Sequence, residues 1–143
     1  MNSPGMPAVW HMVVEVSSLV SGQKARGWPC QHARYATECG ATALMAIPPV
    51  SIVVGEQELR GYFEGILNAT SLPVIVQDAS GYLGWPMSIH FQADLLDECG
   101  PERVLFKPEA TPIGPRLTEL RDGTQGRARI FEETGGIALV DFF

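Results

Sequence analysis

Short apolar runs recur along this chain at Val13–Val16, Ala43–Ile47, Val74–Val76, Val104–Phe106 and Ala128–Phe131, with starts about 30 residues apart and a shorter last step. Runs of that length, mostly apolar without alternation, predict strands buried on both faces. The stretches between them carry helical pattern. In "CQHARYATECGATALMAIPP" Ala33, Ala36 and Cys39 share one helix face, and Gly40 ends the helix before the next run. In "GEQELRGYFEGILNATSLPVIV" Glu56 and Glu58 favour a helix start, and Leu59, Tyr62, Phe63, Ile66 and Leu67 make an apolar stripe. "SIHFQADLLDECG" repeats the pattern with Ile89, Ala93, Leu95 and Leu96 and stops at Gly100.

Strand, helix, tight turn and strand make the βαβ unit, and its repetition calls for a parallel sheet. Two architectures use it, the doubly wound open sheet and the (β/α)8 barrel. No glycine-rich dinucleotide fingerprint follows any of the runs, which favours the barrel. Five strands do not close one, however, and barrels of this type take about 250 residues. The expected fold class is therefore α/β, a partial (β/α)8 TIM barrel. One domain is expected over residues 1–143, with 1–12 an N-terminal extension. Residues 18–31 are rich in Gly, Ser and Pro and read as an irregular loop, its helix starting only after Pro29.

Composition narrows the function classes. The chain has 143 residues, 45% hydrophobic and 18% charged, which describes a globular protein. A formal charge of −6 without a basic patch argues against a nucleic-acid partner. Cys30, Cys39 and Cys99 are odd in number and lack CxxC spacing, so neither a disulfide framework nor a zinc site is expected, and the cytoplasm is the default compartment. His11, His32 and His90 have no ligand-like spacing, so no metal and no other cofactor is expected. The start has no basic n-region, and no run is long enough to span a membrane.

In folds of this kind reactive groups gather at the C-terminal ends of strands. Here those ends read Ser17-Ser18, Pro48-Pro49, Gln77-Asp78, Lys107 with Glu109, and Glu132-Glu133-Thr134. Lys107 stands out, because an ammonium at the mouth of a buried strand is costly unless it is paired or gives up its proton. Proteins keep such lysines where a neutral amine must attack a carbonyl. Each position also has a plain structural alternative. Lys107 can mark the solvent end of an edge strand, Asp78 can be a turn former before Ala-Ser-Gly, and Glu109 can pair with Arg103 or Arg116.

"GATALMAIPP", "LPVIVQDASGYLG" and "VLFKPEATP", in that order and spacing, resemble the dihydrodipicolinate synthase and N-acetylneuraminate lyase family of class I, pyruvate-type aldolases and dehydratases. The resemblance runs from about Gln31 onward, together with "VVEVSS". It makes the five runs strands three to seven of eight, and implies a truncated member that lacks the first two strands and the last. Lys107 matches the family's Schiff-base lysine. Gln77-Asp78 stands where the aldolases carry Tyr-Asn, which points toward the sugar-acid dehydratases, and Tyr82 stands where the synthases bind a second carboxylate with arginine. Pro48 matches the proline after the second run, and Gly135-Gly136 shapes the loop after the last.

The implied function is a Schiff-base-forming lyase, an aldolase or dehydratase acting on a sugar-derived 2-oxo acid. Lys107, Gln77 and Asp78 are the catalytic candidates, and Pro48, Tyr82, Glu109, Thr134 and Gly135 the substrate-binding ones. The family's habits also imply a homo-oligomer. The alternatives are an inactive truncated paralogue, or a small-molecule binding fragment that keeps the pocket without turnover.

Overall fold

The computed structural model describes residues 13–17, 23–48, 54–78, 86–109 and 111–131. They form strands β1 (Val13–Ser17), β2 (Ala43–Ile47), β3 (Val74–Asp78) and β4 (Val104–Pro108), and helices α1 (Gln23–Glu38), α2 (Glu56–Ala69), α3 (Ile89–Cys99) and α4 (Ile113–Gly123). The strands are all parallel and lie in the order β1-β2-β3-β4, with Val13 opposite Ala43, Leu44 opposite Val74 and Val74 opposite Val104.

Side-chain alternation separates the two faces of this sheet. Leu44, Ala46, Val74, Val76, Val104 and Phe106 point to the helix side, where they share one core with Ala33 and Ala36 of α1, Phe63 and Ile66 of α2, Phe91 and Leu95 of α3, and Leu120 of α4. Met45, Ile75 and Leu105, in register across β2, β3 and β4, occupy the other face. All four helices thus pack on one side of strands laid down in sequence order. A doubly wound sheet needs helices on both faces and a reversal of strand order. Neither is present among the described residues, and the architecture is that of a partial (β/α)8 barrel.

Local chemistry accounts for the helix ends. Glu58 Oε2 accepts from the Gly55 backbone N–H at 3.1 Å, ahead of α2. Ser88 Oγ caps α3 by accepting from Phe91 N at 3.0 Å. Gly40 and Gly100, at φ 79° and 84°, supply the left-handed residue after α1 and α3. The stripe anticipated on α2 is the one buried, Leu59, Tyr62, Phe63, Ile66 and Leu67.

Three expectations need correction. α1 begins six residues before Pro29, so residues 23–31 are helical rather than irregular loop, and 18–22 lie outside the described residues. Pro29 forfeits one intrahelical hydrogen bond, yet its ring is buried, and that packing offsets the loss. On α3 the buried set is Phe91, Gln92, Leu95 and Leu96, while Ile89 and Ala93 are half-buried. The larger Phe91 ring takes the core position, and the Gln92 amide is satisfied by donating to Met87 O at 3.3 Å. The fifth run is reduced to a single parallel bridge from Ile130 to Phe106, with Phe106 N donating to Arg129 O and Phe131 N to Phe106 O.

At the N-terminal end of the sheet Arg103, just ahead of β4, donates to Leu67 O, Thr70 O and Leu72 O at 2.7–2.8 Å. It takes up one carbonyl of the last turn of α2 and two just after the helix, where a cation also complements the helix dipole. Among the described residues no helix is long and apolar enough to cross a membrane.

Candidate active site

β3 and β4 end side by side, with Gln77 opposite Lys107 and Asp78 opposite Pro108. Parallel strands in register present paired residues on one face, so Gln77 and Lys107 share the face away from the helices. Glu109, just beyond β4, joins them. Its Oε1 lies 3.0 Å from Lys107 Nζ, and its Oε2 accepts from Gln77 Nε2 at 2.5 Å. The lysine and glutamate side chains are only 14% and 19% exposed. A charge pair so withdrawn from water interacts more strongly than a surface pair, which is worth little.

The Gln77 amide is oriented by that contact, because its nitrogen must face the carboxylate. Its oxygen, Oε1, is buried and has no hydrogen-bond partner among the described residues. Such an orphaned acceptor costs about 1–3 kcal/mol. An acceptor left open beside a lysine at a strand end is suited to receive a donor from a bound molecule.

Asp78 goes elsewhere. It is 2% exposed and lies on the helix side of β3, where its Oδ2 sits 3.6 Å from an Arg116 guanidinium nitrogen. The same guanidinium donates to Met87 O at 2.5 Å and to Glu119 Oε2 at 3.2 Å. Asp78 and Arg116 therefore tie the end of β3 to α4 and to the approach of α3. The structure brings Gln77, Lys107 and Glu109 together and separates Asp78 from them. The pairing of Glu109 with Arg103 or Arg116 is also corrected. Arg103 is taken up by backbone carbonyls at the far end of the sheet, and Glu109 turns to Lys107 and Gln77.

Pro48 follows β2 directly and is half-buried. Beside it the Ile47 carbonyl accepts from the Tyr62 hydroxyl at 2.7 Å, and burial pushes the Tyr62 pKa well above the usual phenol range. Sequence reasoning took Tyr62 for a core residue and missed this anchor on the end of β2. It named Arg116 only as a possible partner of Glu109 and missed its contact with Asp78. The signal for Arg116 was a cation one helical turn into a segment after the lysine strand, which nothing local distinguishes from a surface arginine. Tyr82, Thr134 and Gly135 lie outside the described residues. Among the described residues no group of His, Cys, Asp and Glu side chains could hold a metal ion.

A lysine at the end of a parallel strand, on the face away from the helices, defines the site arrangement of a barrel-type α/β protein. Comparison with solved structures gives the particular barrel. The structure closely matches dihydrodipicolinate synthases in fold. It superposes on a Pseudomonas aeruginosa protein provisionally assigned as a dihydrodipicolinate synthetase with TM-score 0.76 and 24% identity, covering 91% of this chain and 42% of that one. The dihydrodipicolinate synthase of Cyanidioschyzon merolae, solved with lysine bound, gives 0.75 and 18% over 91% of this chain and 42% of its own. The Acinetobacter baumannii enzyme, solved with pyruvate, gives 0.70 and 21% over 84% and 38%. Among curated proteins a Streptomyces coelicolor protein named as a probable 5-dehydro-4-deoxyglucarate dehydratase is 34% identical over 59 residues, 41% of this chain and 19% of that protein. The chain thus spans less than half the length of these relatives. No protein-family model matches it.

Proposed function

We propose that this chain carries the imine-forming lysine of a class I lyase, an aldolase or dehydratase acting on a 2-oxo acid. The observation that carries the reading is the cluster of Lys107, Glu109 and Gln77 on one face at the ends of β3 and β4. In this reading the Lys107 amine attacks the C2 carbonyl, water leaves, and the resulting iminium serves as the electron sink for C–C cleavage or loss of water. Gln77 Oε1 faces the ligand as an acceptor, and Asp78 holds the strand end through Arg116. A hydroxyl-bearing, sugar-derived acid suits that acceptor better than a second carboxylate, which it would repel. The partial match to a protein named as a dehydratase of such an acid supports the same substrate class.

Reductive trapping tests it. The chain has two lysines, Lys24 and Lys107, so the site of any adduct is easily mapped. Incubation with pyruvate and cyanoborohydride should give one adduct at Lys107 and none in Lys107→Ala. Equal labelling of Lys24 and Lys107 would sink the reading. Stabilisation by a 2-oxo acid without any adduct would make the chain a binding module instead.

A further inference from the structure

We infer that Glu109 is the proton acceptor and donor for Lys107 and that Gln77 is the residue that positions it. The inference rests on the imine-forming reading and adds the group that moves its protons. Lys107 has to lose a proton before it can attack, and Glu109 Oε1 lies 3.0 Å from its Nζ. Asp78, a second carboxylate at this end among the described residues, lies on the opposite face beside Arg116. Glu109 follows the strand instead of belonging to it, so β4 alone does not fix its carboxylate. The fixing contact comes from Gln77, whose Nε2 donates to Oε2 and leaves Oε1 turned to the amine. Gln77 is itself 7% exposed, in register with Lys107. A base held on one oxygen by a neutral amide presents the other oxygen to the proton it takes.

The step balances without any further reactant. Glu109 takes a proton from the Lys107 ammonium, and the free amine forms the N–C2 bond as the carbonyl π electrons move to oxygen. Proton shift from nitrogen to that oxygen gives the carbinolamine. Glu109 then returns its proton to the hydroxyl, the C–O bond breaks, water leaves, and the iminium remains. Glu109 ends as the carboxylate that began.

The experiment is the pH dependence of the pyruvate trapping rate in the full chain, mapped to Lys107, for wild type, Glu109→Gln, Glu109→Asp and Gln77→Leu. Thermal unfolding of each variant reports whether it is folded. Glu109→Gln should trap about 100-fold more slowly near neutral pH, the range expected for loss of a general acid–base, and should recover as pH rises and the amine deprotonates unaided. Glu109→Asp should recover part of the loss at neutral pH. Gln77→Leu should trap several-fold more slowly with its pH profile displaced, which a merely structural residue would not cause. A Glu109→Gln variant that traps as fast as wild type or faster across the pH range would make Glu109 a counter-ion only and overturn the inference while leaving imine formation intact. Absence of any wild-type adduct at Lys107 would overturn both. If Glu109→Gln is unfolded, Glu109→Asp and Gln77→Leu decide, and unchanged pH profiles in both would overturn the inference.

Discussion

β4 has a cation at each end, and the two are used in opposite ways. Arg103, immediately before the strand, has its guanidinium directed at Leu67 O, Thr70 O and Leu72 O, all of them backbone. Lys107, next to the strand's last residue, meets a side-chain carboxylate, and the amide that steadies this carboxylate has a buried oxygen with no partner among the described residues. The planar fork of arginine suits several fixed carbonyls at once, whereas lysine is a point charge that can lose its proton. The difference teaches which end of the sheet is built to be finished and which is left open. Among the described residues Arg103 at the N-terminal end is satisfied by backbone carbonyls, whereas Gln77 at the C-terminal end keeps an acceptor for something else. Barrel enzymes divide stability and chemistry in the same way.

The division can be broken most directly at its two cations. Arg103→Met removes charge-assisted donors from three carbonyls and should cost about 2–4 kcal/mol. While folded, it should still give the Lys107 adduct. Lys107→Met combined with Glu109→Gln removes a withdrawn ion pair as a unit and should shift stability by no more than about 1 kcal/mol in either direction. It should abolish the adduct. Urea unfolding with intact mass after trapping reads both. Equal destabilisation by the two changes would mean that the C-terminal end is as structural as the N-terminal end.

How much of this could be read beforehand follows the same line. Four of the five runs were legible as strands because a short continuous apolar run marks a buried strand, and the stripe from Leu59 to Leu67 on α2 admits one face only. Gly40 and Gly100 were legible because a left-handed residue after a helix selects glycine. The start of α1 was not, since a proline inside a helix is tolerated only when tertiary packing overrides propensity, as the buried Pro29 ring does. At the site, Lys107, Glu109 and Gln77 were legible as strand-end residues, and strand register then placed them together. Their division of labour was not. Whether Asp78 faces the lysine or the helices depends on the parity of one residue in β3, and a slip of one residue would exchange it with Gln77.

A position in the helix layer calibrates the comparison. Gly123, at the end of α4, sits so close to α3 that a Cβ there would lie 2.6 Å from Ile89 Cγ2. The β-branched isoleucine has little freedom to move its methyl aside. Gly123→Ala should therefore cost about 1–2 kcal/mol through overpacking, in spite of alanine's better helix propensity. Its trapping rate per folded molecule should equal that of wild type. A slower rate would mean that helix packing on the far face controls the site, and the separation of the two faces would fail.

Tyr62 sharpens the comparison furthest, because it is a polar group at the C-terminal end that is already satisfied. Its hydroxyl donates to Ile47 O at 2.7 Å, so it should behave like Arg103 and not like Lys107. Tyr62→Phe should cost about 1 kcal/mol at neutral pH and leave trapping unchanged. Alkaline pH gives a second reading. An unfolded tyrosine loses its proton near 10.0, whereas burial raises the Tyr62 pKa in the folded protein well above that. Above pH 10 the unfolded chain therefore binds fewer protons than the folded one, and stability falls as pH rises. Below pH 10 the group adds no slope. The gap between wild type and Tyr62→Phe, measured by urea midpoints at pH 8 and pH 10.5, should accordingly narrow at the higher value, because phenylalanine has no proton to lose. A gap that stays constant would mean that the hydroxyl reaches water, and that the end of β2 is open in the same sense as the end of β4.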